Sequence, residues 1–319
     1  MSPLSKPTGV SMTSPVFSAE EIQQFLDWGF VKASAVFPSE IAADCRRALD
    51  EKSQQGISVL NPDTWPKRVG LTEIYHESDG YPWSHVFTSR LNNAVDELCG
   101  KGRWDSFGCG WWVISFPSPS PSASFEVEGH WHIDGSDFVH FPHSKEVGLV
   151  LIMLFSDILP NGGGTAVACG SHKVISKLII QSGEKGMTSK EVASRVNMDK
   201  DFEVVELTGQ SGDVVFMHPH LLHARSKNNG PFQPSAIRYI CHPTIPLKQP
   251  MRFTQPVEEL SLVEQSILNE AAANDLEIVG SEDCERTMQT NDVSQDIMMD
   301  MESSLGIQSF GSSRKRRRR

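Results

Sequence analysis

Two short stretches concentrate the residues that could do chemistry. One is His130-Trp131-His132-Ile133-Asp134-Gly135, and the other is His218-Pro219-His220-Leu221-Leu222-His223. Eight of the 11 histidines fall between 130 and 223, so the imidazoles are clustered rather than scattered. In an extended segment, residues two apart share a face. His132 and Asp134 can therefore offer a nitrogen and a carboxylate oxygen to one ion, with a third ligand coming from elsewhere in the fold. Two imidazoles and one carboxylate on one face of a six-coordinate ion leave three positions open, and oxygen chemistry needs open positions. His130 competes with Asp134 as the partner of His132. Residues 130 and 134 lie about 13 Å apart if extended, so they cannot serve the same ion. Taken singly, each histidine reads more simply as a surface or core residue with satisfied hydrogen bonds. The joint pattern is what carries weight.

These residues need a frame, and the rest of the chain supplies one. Ser18 and Glu21 form a capping box, Ile22, Phe25 and Leu26 repeat at helical spacing, and Gly29 stops the helix. A second helix is expected from Ser39 and a third over 88–99. The pattern then changes to short apolar stretches punctuated by glycine and proline. Strands are expected at Trp111–Phe116, 147–155, 203–207, 213–217 and 237–245, with a short extended piece at 129–134. Gly162-Gly163-Gly164 marks a tight turn. The tryptophans at 111 and 112 are expected as core and cleft wall. Many short strands predict a mainly β barrel or jelly roll behind N-terminal helices. Residues 174–200 read as a polar, partly helical insertion. An amphipathic helix is expected over 260–271. The expected organisation is a disordered 1–16, a core domain over 17–253, a C-terminal helix within 254–272 and an acidic disordered tail over 273–319.

Composition narrows the function. The chain of 319 residues carries a net charge of −11, which argues against general binding of polyanions such as nucleic acid. Six cysteines match no zinc or disulfide spacing, as expected in a reducing compartment. The N-terminus has no apolar signal core, and the longest apolar run is too short for a bilayer, so no membrane role is expected. The last residues, Arg314-Lys315-Arg316-Arg317-Arg318-Arg319, are not a peroxisomal address. Such a basic run on an acidic chain more often forms a localisation signal or an electrostatic arm, and a cytoplasmic or nuclear site is expected.

The sequence resembles the phytanoyl-CoA dioxygenase family of Fe(II)- and 2-oxoglutarate-dependent oxygenases over most of residues 17–245. The resemblance begins with FSAEEIQQFLDWGFVKASAVFPSEIAADCRRAL and continues through HWHIDG and VGLVLIMLFSDILPNGGGTAVACGSHK. It closes with GDVVFMHPHLLHARSKNN and IRY. Together these motifs are fairly specific, although none is so alone. The fold this implies is a double-stranded β-helix, the cupin-like jelly-roll barrel. His132 and Asp134 would be the proximal ligands of Fe(II). His223 would be the distal one, favoured over His218 and His220 because it ends Leu-Leu-His. Arg238 would bind the distal carboxylate of 2-oxoglutarate, and Ser226 would assist.

The implied reaction uses O2, converts 2-oxoglutarate to succinate and CO2, and hydroxylates a small organic or acyl substrate. Related halogenases have a small residue where this chain has Asp134, so the carboxylate favours hydroxylation. Two departures bear on the assignment. Arg238 follows His223 by 15 residues, several more than the family spacing implies, and Gly230–Pro234 accounts for the excess. Arg225 stands where the family often has a hydroxyl, which makes it a rival to Arg238. No acidic residue lies between 214 and 257, so Arg238 has no partner nearby in sequence. A catalytically silent barrel acting as a binding or scaffold module is the alternative, and the intact set His132, Asp134, His223 and Arg238 argues against it.

Overall fold

The structure, a computed structural model, describes residues 14–52, 57–65, 72–74, 79–109, 111–198 and 202–278. The expected disordered N-terminus lies outside the described residues up to 13, and so do the acidic tail from 279 and its basic run.

Helices come first because the caps come first. Ser18 and Glu21 make the reciprocal capping box of α1 (Ala19–Trp28), and Gly29 ends it at a φ of +85°. Helices α2 (Ser39–Lys52) and α3 (Ser89–Cys99) follow. The strands then form two antiparallel sheets. The larger contains β1 (Phe30–Ala33), β2 (Thr72–Ile74), β3 (Trp111–Ser115), β4 (Leu149–Leu154), β7 (Val214–Met217), β9 (Arg238–His242) and β10 (Thr244–Ile245). Its order is β1-β7-β4-β9-β3-β2, with β10 also on β4. The smaller sheet runs β6-β5-β8, from β5 (Ala166–Ala168), β6 (Val204–Glu206) and β8 (His223–Ala224).

The expected strand over 237–245 is divided at Pro243, which has no N–H to give to a ladder. The expected barrel is a pair of facing sheets. Among the described residues no ladder closes them into one.

β4 is buried at all six positions, which explains its uninterrupted apolar sequence. Leu149, Leu151 and Met153 belong to the core shared with α1, α3 and the C-terminal helix. Val150, Ile152 and Leu154 face the other way, into a second core with Val215, Met217, Ile240 and, from the small sheet, Val167. That second core is the space between the sheets.

The region 174–200 departs from its polar expectation. It belongs to α4 (Ser171–Gln181) and α5 (Ser189–Ser194), and Ile175, Ile179 and Val192 pack on Ala168 and Leu222, covering the outer face of the small sheet. The last helix, α6 (Leu262–Ala273), starts two residues later than predicted because Ser261 is its cap. Its Glu264 has no exposed side-chain surface and pairs with Arg103, pinning the helix to the loop after α3. Leu276 and Ile278 also pack on the main core, so packing continues past the expected start of the tail.

Candidate metal centre

β8 is only two residues long, but its position decides the site. Val167 of β5 lies opposite His223, and Val167 belongs to the core between the sheets, so the His223 side chain faces inward. On the other side of β8 runs the extended piece around 127–132. His132 and His223 exchange both backbone hydrogen bonds, at 3.1 and 3.0 Å, and so stand directly opposite each other. Their ring centroids are 4.5 Å apart. Asp134 follows two residues later, and ligand atoms of His132, Asp134 and His223 all lie within 4.8 Å of one another.

Two backbone carbonyls set the chemistry of the imidazoles. His132 Nδ1 lies 2.9 Å from the carbonyl of His130, and His223 Nδ1 lies 3.0 Å from the carbonyl of Leu221. A carbonyl can only accept, so each Nδ1 carries the proton and each neutral ring presents a bare Nε2. Burial and the nearby His223 push the His132 imidazole down to about 4, so it is neutral at physiological pH. Burial would raise the Asp134 carboxyl, but His242 and His223 outweigh it and hold the group well below the usual range. Burial also works against protonated His223, and Asp134, 3.7 Å away, more than offsets it and raises that imidazole. Asp134 Oδ2 and His223 Nε2 are buried without a hydrogen-bond partner. Two imidazole nitrogens free of backbone partners, a carboxylate and these unmatched atoms fit a divalent cation, which would compete with the proton that the Asp134 carboxylate favours on His223.

The loop carrying Asp134 is held on both sides of that residue. The Ser189 hydroxyl donates to the Ile133 carbonyl at 2.6 Å, and His140 Nε2 donates to the Gly135 carbonyl at 2.9 Å. His140 is itself paired, backbone to backbone, with Met187. The 174–200 region therefore clamps the ligand loop, a role its sequence did not disclose.

His130, His218 and His220 stand outside the triad. His130 is exposed and contributes its carbonyl. His218 and His220 are buried against each other, with His172 and Phe25 beside His218 and the Ser176 hydroxyl on His220 Nδ1 at 2.8 Å. Ser171 opens α4 and accepts the Leu222 N–H at 2.9 Å. Trp112 is fully buried, as expected of core.

Arg238 lies on the inner face of β9 with Ile240, which belongs to the core between the sheets. It is 1% exposed, too little for solvent to serve its charge. Nη1 donates to the Gly163 carbonyl, while Nε and Nη2 have no partner. Burial and the neighbouring Arg225 push the guanidinium down to about 9, so it stays charged at neutral pH. Glu206 is an acid in its field, yet its two oxygens already accept the N–H groups of Asn161 and Gly164 at 2.6 and 2.8 Å. Ser226 donates its hydroxyl to the Gly164 carbonyl. Gly163 sits at a φ of +80°, and a Cβ there would lie 2.8 Å from Asn228, so this turn requires glycine. Arg225 is partly exposed, with Nε 3.9 Å from a Glu128 oxygen. The residue that sequence reasoning missed is His242. Its place on the Arg238 face was legible, but its contact with Asp134, at 3.0 Å, joins segments more than a hundred residues apart.

Two imidazoles and a carboxylate thus converge at β8 of the small sheet and the segment bridged to it, a set that could hold a metal ion. A family model described as phytanoyl-CoA dioxygenase matches residues 9–233. The chain belongs to that family and is a 2-oxoglutarate-dependent dioxygenase, an oxidoreductase using Fe(II), 2-oxoglutarate and O2. The matched span contains His132, Asp134, His223 and Ser226 and ends before Arg238.

Similar solved structures include SnoK, a non-heme alpha-ketoglutarate-dependent carbocyclase from nogalamycin biosynthesis. It is 16% identical with a TM-score of 0.45, over 72% of this chain and 84% of that one. HygX from Streptomyces hygroscopicus, solved with nickel and 2-oxoglutarate, is 17% identical with a TM-score of 0.46, over 75% and 91%. The apoform of EctD from S. alaskensis is 18% identical with a TM-score of 0.44, over 78% and 85%. No curated protein matches the sequence. No helix among the described residues is long and apolar enough to cross a membrane.

Proposed function

We propose that His132, Asp134 and His223 hold Fe(II), that Arg238 anchors 2-oxoglutarate, and that the enzyme hydroxylates a small organic or acyl substrate. The two facing sheets would be the walls of a double-stranded β-helix. The observation that carries this reading is the pairing of a convergent His-Asp-His set with a buried, unmatched guanidinium on the inner face of β9. Bound Fe(II), with 2-oxoglutarate and O2, supplies the oxidant, and the co-substrate leaves as succinate and CO2.

The residues of this chain do the positioning. Arg238 offers two free N–H groups in a planar fork that suits a carboxylate. Its third contact, to Gly163, keeps the fork aimed, and Ser226 holds the next peptide of that turn. Ser226 thus assists through the backbone. Asp134 gives the site a full carboxylate rather than a vacancy for chloride, which favours hydroxylation over halogenation.

The test is anaerobic addition of Fe(II) and 2-oxoglutarate to purified protein, followed by O2. A metal-to-ligand absorption band and stoichiometric succinate support the reading. A protein that binds neither iron nor 2-oxoglutarate contradicts it.

We also propose that the Arg314–Arg319 run directs the chain to the nucleus. A tagged chain ending at Ser313 should then lose nuclear enrichment, and equal distribution of the two forms would remove the claim.

A further inference from the structure

β9 carries two polar side chains on its inner face, Arg238 and His242, with buried Ile240 between them. Arg238 is answered above by the co-substrate. His242 reaches across from the large sheet to the ligand loop, where its Nε2 lies 3.0 Å from Oδ2 of Asp134. Its ring centroid is 5.1 Å from that of His223. Asp134 is divided between two neighbours, since Oδ1 lies 3.7 Å from His223 Nε2 while Oδ2 faces His242. Nε2 is the ring atom turned to the carboxylate, and as an N–H it can hold Oδ2 in place. The contact is a close approach rather than a well-aligned hydrogen bond, because neither atom has a partner of hydrogen-bond geometry.

We propose that His242 is a positioning residue for the metal site, holding Oδ2 of Asp134 so that only Oδ1 is offered to the ion. The inference rests on the His132–Asp134–His223 reading and goes beyond it. Its consequence is a count of open positions. Three protein ligands leave three positions on a six-coordinate ion. A chelating keto acid and O2 would together need all three. A carboxylate that swung to bind through both oxygens would occupy one of them. His242, fixed on a strand paired to both β3 and β4, opposes that swing from the opposite sheet. One strand then orients both carboxylates of the site, Arg238 that of the co-substrate and His242 that of the protein.

The test uses Co(II) as the probe metal with the full chain. It compares His242→Ala and His242→Gln by titration and by the visible bands of the bound ion. His242→Ala should weaken Co(II) binding roughly tenfold or more, and His242→Gln, whose amide can donate from a similar place, should recover it to within about threefold. The visible bands should shift in His242→Ala, as the freed Oδ2 turns to the ion, and return to their positions in His242→Gln. Unchanged affinity in His242→Ala overturns the proposal. So does a shifted Co(II) spectrum that Gln cannot restore, which would make His242 a ligand. Asp134→Ala is the reference. If it binds Co(II) like the wild type, the triad reading itself has failed. Should His242→Ala not fold, His242→Leu, which keeps bulk without an N–H, replaces it.

Discussion

Arg238 provides the sharpest prediction about the co-substrate. Its guanidinium is 1% exposed, gives one N–H to the Gly163 carbonyl and leaves Nε and Nη2 unmatched. A charge-assisted interaction contributes about 1.5–3 kcal/mol, and each 1.4 kcal/mol is a factor of ten. Arg238→Ala should therefore weaken 2-oxoglutarate binding by about tenfold to a hundredfold while Fe(II) stays bound. Arg238→Lys should recover little, because an ammonium cannot reproduce the planar fork. Arg225→Ala should have a much smaller effect, since Arg225 is partly exposed and lies near Glu128. The assay is anaerobic titration of the iron-loaded protein with 2-oxoglutarate, read by the metal-to-ligand band. Stability separates this role from a structural one. Removing one partner of a buried ion pair costs about 3–5 kcal/mol. Removing an unmatched buried charge relieves desolvation instead, so apo Arg238→Ala should unfold in denaturant no earlier than wild type. Loss of several kcal/mol would make Arg238 a structural residue, and loss of the band in Arg225→Ala with its retention in Arg238→Ala would move the co-substrate to Arg225.

Three further outcomes follow from the same contacts. Glu264→Ala removes a fully buried carboxylate that caps α6 and pairs with Arg103, and should cost about 3 kcal/mol or more in equilibrium unfolding; a loss within experimental error would show that α6 is not anchored there. Ser189→Ala removes one hydrogen bond to the ligand loop and should cost about 1 kcal/mol of stability while weakening metal binding; unchanged metal affinity would free that loop from the clamp. Acid should destabilise the apoprotein early: burial pushes His132 and His172 down to about 4 and His220 to about 3, so the unfolded chain gains protons that the fold refuses. Stability should thus rise with pH and be lost as pH falls from about 6.5 toward 4; a melting temperature flat over that window would contradict the assignment.

What the sequence disclosed follows local physics. The capping box at Ser18, the stop at Gly29 and the uninterrupted apolar run of β4 are short-range signals, and each appears where it was expected. The two-residue spacing of His132 and Asp134 was equally readable. The choice of His223 among three neighbouring histidines was not fixed by spacing. It depends on β8 lying between Val167 and His132, a pairing across about ninety residues. The clamp from Ser189 and His140, the reach of His242 and the filling of Glu206 by backbone N–H groups are likewise long-range, and no local pattern encodes them. The 174–200 region looked polar because its charges are the solvent side of α4 and α5, while isoleucines at 175 and 179 face the sheet.

Metal counting after anaerobic Fe(II) loading decides whether His132, Asp134 and His223 form one iron site. Wild type, His130→Ala and His220→Ala should retain one iron per chain after gel filtration, while His132→Ala, Asp134→Ala and His223→Ala should retain almost none, because two ligands no longer hold a six-coordinate ion. Full occupancy in His223→Ala together with loss in His220→Ala would contradict the account and move the distal ligand to His220.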